Sequence, residues 1–163
     1  MKRSVHRNLV LATLGVVVVI IYGSFYPFEY YHHAGNPLLF LLSTWKEPPT
    51  GRGDLIANIV LYVPYGFFAA LALGERCSAA TKFWLVTLGG LALCTTMELS
   101  QYYFYERDTS MSDVYTNTLG SALGATAGVL LGSNFRWPYL KELGERPYPA
   151  ILIASWLGYR LFP

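Results

Sequence analysis

The chain has 163 residues, enough for one domain, and a formal net charge of only +2. It is 53% hydrophobic, 16% aromatic and 13% charged; an ordinary soluble domain carries about 25% charged residues, so composition points to the membrane class. The small charge, with no basic run interleaved with aromatics, excludes nucleic acid as a partner. Cys77 and Cys94 lack CxxC spacing and are too few for a disulfide framework, so they read as two reduced, inert thiols.

Taken in chain order, Met1–Asn8 carries Lys2, Arg3 and Arg7 and leads into Leu9–Phe25, an uncharged run of Val, Leu and Ile. A secretory signal peptide has this shape, but no small-x-small cleavage pattern follows. Tyr22, Phe25, Tyr26, Phe28, Tyr30 and Tyr31 follow instead, resembling an interfacial aromatic belt, so the run reads as an uncleaved first helix. The longest connection, Tyr26–Gly53, contains Asn36-Pro37 ahead of Leu38, Leu39, Phe40, Leu41, Leu42 and Trp45. Asn at a cap and Pro in the first turn predict a short helix, too short to span and expected to lie on the membrane. Pro48-Pro49-Thr50-Gly51 breaks it.

Leu55–Leu73, Phe83–Gln101 and Val114–Gly132 are each close to the ~20 residues that cross a bilayer's hydrocarbon. Pro64 is expected to kink the first of them, which neighbouring helices can accommodate. Pro149–Phe162 is apolar but short, and both a truncated crossing and an interfacial helix fit it. The fold class expected is all-α: a multi-pass transmembrane helical bundle with four full crossings, a short fifth apolar segment and one interfacial helix in the first outer loop. The whole chain, 1–163, is expected to be a single membrane domain.

Basic residues set the orientation. Lys2, Arg3, Arg7, Arg76, Lys82, Arg136, Lys141 and Arg146 fall on one side, against Lys46, Arg52 and Arg107 on the other, with Arg160 at the unassigned end. The richer side is cytoplasmic. The expected localisation is the cell membrane with the amino terminus in the cytoplasm.

Against this apolar background, polar residues recur at one level. Asp54 and Asn58 open the second crossing, Glu98 and Gln101 close the third, Asp113 and Asn117 open the fourth, and Arg107 lies in the loop between the last two. Charge in or near lipid is costly, so such residues default to a functional site, here on the outer face. At 1.5 Å per residue Glu98 lies ~23 Å from the cytoplasmic start of its helix, near the outer boundary of the hydrocarbon. Asp54, Asn58 and Tyr65 share one helical face. Asp113, Asn117, Gly120, Gly124 and Gly128 fall within roughly 80° of one another, a GxxxG-spaced stripe expected to pack a partner helix and open to use in an oligomer.

Each residue also has a plainer reading. Asp54 follows Gly51-Arg52-Gly53 as a cap would, and Ser110-Met111-Ser112-Asp113 has capping-box spacing. Asn58 and Asn117 suit interhelical hydrogen bonding. Glu98 sits at neither a helix start nor a loop, so it is expected either to pair with Arg107 or to hold a proton. Glu29, His32 and His33 have metal-compatible spacing but no third ligand cluster, and read as a surface pair of histidines; no metal and no cofactor is expected. No nucleophile elbow, Walker loop or HExxH occurs.

Asp54-Leu55-Ile56-Ala57-Asn58, Tyr62-Val63-Pro64-Tyr65-Gly66-Phe67, Glu98-Leu99-Ser100-Gln101, Arg107 and Ser112-Asp113-Val114-Tyr115-Thr116-Asn117-Thr118-Leu119-Gly120 follow one another in order. In this the chain resembles the VanZ-like family of small bacterial membrane proteins over about residues 50–132. It departs at Tyr65, where a small or aliphatic residue is commoner, and it stops within an apolar segment where longer members continue. The family is named for a protein that gives bacteria resistance to a teicoplanin-type, lipid-tailed glycopeptide. The resemblance thus implies a bacterial envelope role, without specifying a reaction.

The leading expectation is a non-transport envelope protein whose outward site recognises a lipid head group or lipid-linked cell-wall intermediate. Asp54, Asn58, Glu98, Gln101, Arg107, Asp113 and Asn117 are its candidate ligand-binding residues, with Arg107 gripping a phosphate or carboxylate through two N–H groups. A second reading is an intramembrane enzyme on the same substrates, with Glu98 as acid or base and Asp113 as partner. A third is a structural packing protein.

Overall fold

The structure, a computed structural model, describes residues 2–47, 51–74, 77–105 and 107–132, the side chains of 2–5 excepted. Among the described residues are five α-helices: α1 (Lys2–Phe25), α2 (Pro37–Ser43), α3 (Arg52–Ala72), α4 (Ala79–Gln101) and α5 (Met111–Leu131), with a 3-10 turn at Thr44–Lys46. One compact unit, Met1–Gly132, holds all of them. Pro149–Phe162, Arg76, Arg136, Lys141, Arg146, Arg160 and the Pro48-Pro49-Thr50 break lie outside the described residues.

The helix starts follow from local chemistry. Asn36 accepts hydrogen bonds from the N–H groups of Leu38 (2.9 Å) and Leu39 (3.3 Å) with Pro37 in the first turn, as the sequence predicts. Ser78 caps α4 through Thr81 N–H at 3.1 Å, and Ser110 caps α5 through Ser112 N–H at 3.2 Å. α3 continues through Pro64 as one element. Among the described residues there is no strand. A lone bridge between Tyr30 and Phe104 ties the first long loop to the α4–α5 loop, with Tyr31 N–H on Tyr103 O at 2.8 Å and Tyr105 N–H on Glu29 O at 2.7 Å.

Three of these helices, His6–Phe25, Arg52–Ala72 and Ala79–Gln101, are long and apolar enough to cross a membrane. Their outward side chains, Leu11, Val18, Ile56, Trp84 and Leu88 among them, are large, apolar and exposed. Soluble monomers rarely leave such continuous apolar surface in water, and lipid accommodates it without cost. The chain is therefore an all-helical membrane protein.

α5 is as long as α3 but less apolar, because its inward face is built from small residues. A Cβ on Gly120 would collide with Ile59 O, one on Gly124 with Val63 O, and one on Gly66 of α3 with Ser121 O. Gly128 continues the series beside Phe67 O. The contacts advance together along both helices, so α3 and α5 run parallel with backbones in close approach. The glycine stripe is thus consumed inside the chain, which corrects the expectation that it is open to an oligomer. The core runs from Ile20, Leu41, Tyr62, Cys94, Met97 and Val114 to Ala70, Val86 and Ala125, and Cys77 and Cys94 are both free thiols.

Candidate functional site

The start of α3, the end of α4 and the start of α5 meet at one end of the bundle, where the end of α1 joins them. Two groups of polar residues form there, where the sequence suggested one ring.

The first group lies between α3, α4 and α5. Asp113 lies within electrostatic reach of the Asn58 side chain and of the charges of Asp54 and Asp108. Glu98, only 3% exposed, interacts in turn with Asp113. Tyr62, 1% exposed, senses both Glu98 and Asp113. One helical turn below Asp113, Asn117 is 6% exposed. Tyr62 Oη and Asn117 Oδ1 are buried without a hydrogen-bond partner. Among the described residues Gln101 Oε1 in the second group and Thr87 Oγ1 further along α4 share this condition, and buried polar atoms ordinarily find partners, so Tyr62 Oη and Asn117 Oδ1 are the two atoms of the first group with hydrogen-bonding capacity to spare.

Glu98 has a structural duty that sequence reading did not give it. Its Oε2 accepts the Ser110 N–H at 2.8 Å and its backbone oxygen accepts the Thr109 hydroxyl at 3.1 Å. In a capping box the residue at the position of Asp113 would satisfy Ser110 N–H. Here Glu98 does so from another helix, and Asp113 is free of that duty. Asp54 is likewise not the cap of α3, because the cap position is Gly51.

The second group clamps α1. Arg107 donates Nε–H to Tyr26 O at 2.9 Å and Nη2–H to Gly23 O at 2.9 Å, with a further short bond to Tyr26 O. Gln101 Nε2–H reaches Ser24 O at 2.9 Å. These carbonyls end α1, where no N–H of the helix is left to meet them and a cation opposes the dipole's negative pole. Burial lowers the pKa of Arg107 from its ordinary value, and among the described residues it has no carboxylate partner. The expected Glu98–Arg107 pair is corrected: each side chain is committed elsewhere. The Nε–Nη2 edge of Arg107 is turned to the end of α1.

The sequence put Tyr65 on one helical face with Asp54 and Asn58, and Tyr62 is the tyrosine within electrostatic reach of Glu98 and Asp113. Its four-residue spacing from Asn58 was the available signal, and Asp108, Thr109 and Ser110 gave none. Tyr65 lies deeper, lining an apolar cavity of about 270 Å³ with Val10, Thr13, Leu14 and Val86 at the opposite half of the bundle. His32 and His33 are exposed in the first long loop, where His33 packs on Tyr31 and Tyr102.

A bundle of apolar helices that carries carboxylates and carboxamides from three helices to one end is an integral membrane protein with a polar end-site. More narrowly, the chain belongs to the VanZ/LLP1 family, whose sequence profile matches residues 9–132 and so takes in α1 as well as the motif-bearing stretch. Comparison with the curated proteins and with the solved structures gave no match.

Proposed function

We propose that this is a non-transport protein of the bacterial envelope whose end-site recognises a lipid head group or a lipid-linked cell-wall intermediate, with a link to teicoplanin-type glycopeptide tolerance. The observation that carries the reading is the convergence of Asn58, Tyr62, Glu98, Asp113 and Asn117, with Tyr62 Oη and Asn117 Oδ1 unpaired and buried. Polar groups at membrane depth mark function when architecture does not use them up. Arg107 and Gln101 hold α1 in place and so support the site from outside.

In this reading all four long helices cross, since α5 runs beside α3 over matching lengths. The basic residues place the amino terminus in the cytoplasm and the site outside. The exposed Leu38, Leu39, Phe40, Leu42 and Trp45 of α2 and the turn after it rest in the interface.

The test is to purify the full chain, incubate it with a bacterial lipid extract and analyse by mass spectrometry what it retains and what it converts. Retention of a lipid that Asp113→Asn releases supports recognition; a lipid profile identical for both proteins sinks it. A second reading rests on Glu98 and Asp113, two carboxylates from different helices in electrostatic contact, as an acid and base pair requires. Appearance of a new product, lost in Asp113→Asn, selects the enzyme.

A further inference from the structure

The end-site is rich in acceptors and short of donors. From the surface inward, Asp54 and Asp108 are exposed, Asn58 and Asp113 half-buried, and Glu98, Asn117 and Tyr62 buried. The unpaired floor atoms are Asn117 Oδ1, which only accepts, and Tyr62 Oη, which does either. The two cations nearest in sequence do not compensate. Arg107 turns its Nε–H and Nη2–H to the carbonyls of Tyr26 and Gly23, and among the described residues neither it nor Arg52 forms an ion pair with these carboxylates.

Such a cluster repels a bare phosphate, because like charges brought together oppose binding. It suits a ligand that brings positive charge together with several N–H donors. We infer that the end-site recognises its head group through a primary ammonium, an inference that rests on the head-group reading above. An ammonium carries three donors and no acceptor, and charge-assisted hydrogen bonds to carboxylates are the strong ones. Exposed Asp54 and Asp108 attract it at the mouth. Its N–H groups then meet the Asp113 carboxylate and can donate to Asn117 Oδ1 and Tyr62 Oη.

The experiment titrates the purified full chain in detergent with phosphatidylethanolamine, phosphatidylcholine and phosphatidylglycerol of identical acyl chains, followed by native mass spectrometry. Phosphatidylcholine keeps the positive charge but has no N–H, and phosphatidylglycerol has neither. Phosphatidylethanolamine is expected to bind about tenfold more tightly than both, and Tyr62→Phe and Asp113→Asn to remove most of that margin. Variants are compared only where size-exclusion profile and thermal midpoint match the parent, and the lipid ranking of the parent needs no variant at all. A preference for phosphatidylglycerol overturns the ammonium and leaves head-group recognition standing. The same preference appearing only with magnesium, and abolished by EDTA, assigns the acceptors to a metal ion and also overturns it. Equal binding of all three overturns it too. Failure to retain any lipid, here or from the extract, removes the head-group reading with it.

Discussion

Arg107 closes the end of α1 by donating to the backbone oxygen of Tyr26, with Gly23 O as its second acceptor. A residue that looked like a ligand clamp in the sequence is a strut between the α4–α5 loop and the first helix. Its chemistry is the same in both roles, since a planar fork of N–H groups fits two neighbouring oxygens whoever supplies them.

Arg107→Lys should therefore loosen α1. An ammonium cannot span both carbonyls with the same geometry, and losing charge-assisted bonds at a partly exposed site costs about 1–2 kcal/mol. Hydrogen exchange should quicken around Gly23–Tyr26 while the amides of α5 stay protected. Unchanged exchange at the end of α1 would show that the strut is dispensable.

Glu98→Gln separates the two duties of that side chain. A glutamine carbonyl still accepts the Ser110 N–H, so the thermal midpoint should stay near that of the parent. Glu98→Ala leaves that N–H partly buried and unpaired, for a loss of about 1–3 kcal/mol. Ligand retention should fall in both. Full retention by Glu98→Gln would confine the residue to architecture.

Gly124→Val should prevent normal assembly, because the new Cβ meets Val63 O, and backbone has no rotamer with which to yield. Overpacking a tight core typically costs about 1–3 kcal/mol where side chains can shift, and more is expected here. Gly15→Ala is the control, since nothing lies within 4 Å of its added Cβ. Monodisperse size-exclusion profiles in detergent should survive the second change and fail with the first. Equal behaviour would refute the close α3–α5 approach.

Orientation is tested with His32→Cys in a chain whose Cys77 is replaced by Ala. His32 is exposed, whereas Asn36 in the same loop caps α2 and is best left intact. Cys94 is fully buried and should stay inert to a membrane-impermeant thiol reagent. Intact cells should be labelled at position 32. Labelling confined to broken cells would turn the site to the cytoplasm.

The membrane class, the bounds of the long helices to within a few residues, and the cap at Asn36 were legible in the sequence. So was the end of the bundle at which polar residues gather. These are local properties: hydropathy over a helix's length, a side chain reaching an N–H two or three residues on, a polar group's count of turns from a helix end. Partner choice is not local. Whether Glu98 meets Arg107 or Ser110 depends on the path of the α4–α5 loop, and whether the stripe from Gly120 to Gly128 is open or filled depends on the rotation of α3 toward it. Asp113 escapes its capping box only because a carboxylate from another helix takes the N–H. Tyr62 joins Glu98 and Asp113 because burial depth along α3, and not angular position alone, decides which side chain reaches them. Sequence thus placed the polar groups at one end of the bundle, and the tertiary structure divided them into a strut for α1 and an acidic cluster among α3, α4 and α5, because contacts between helices depend on how the helices pack and not on the periodicity of any one of them.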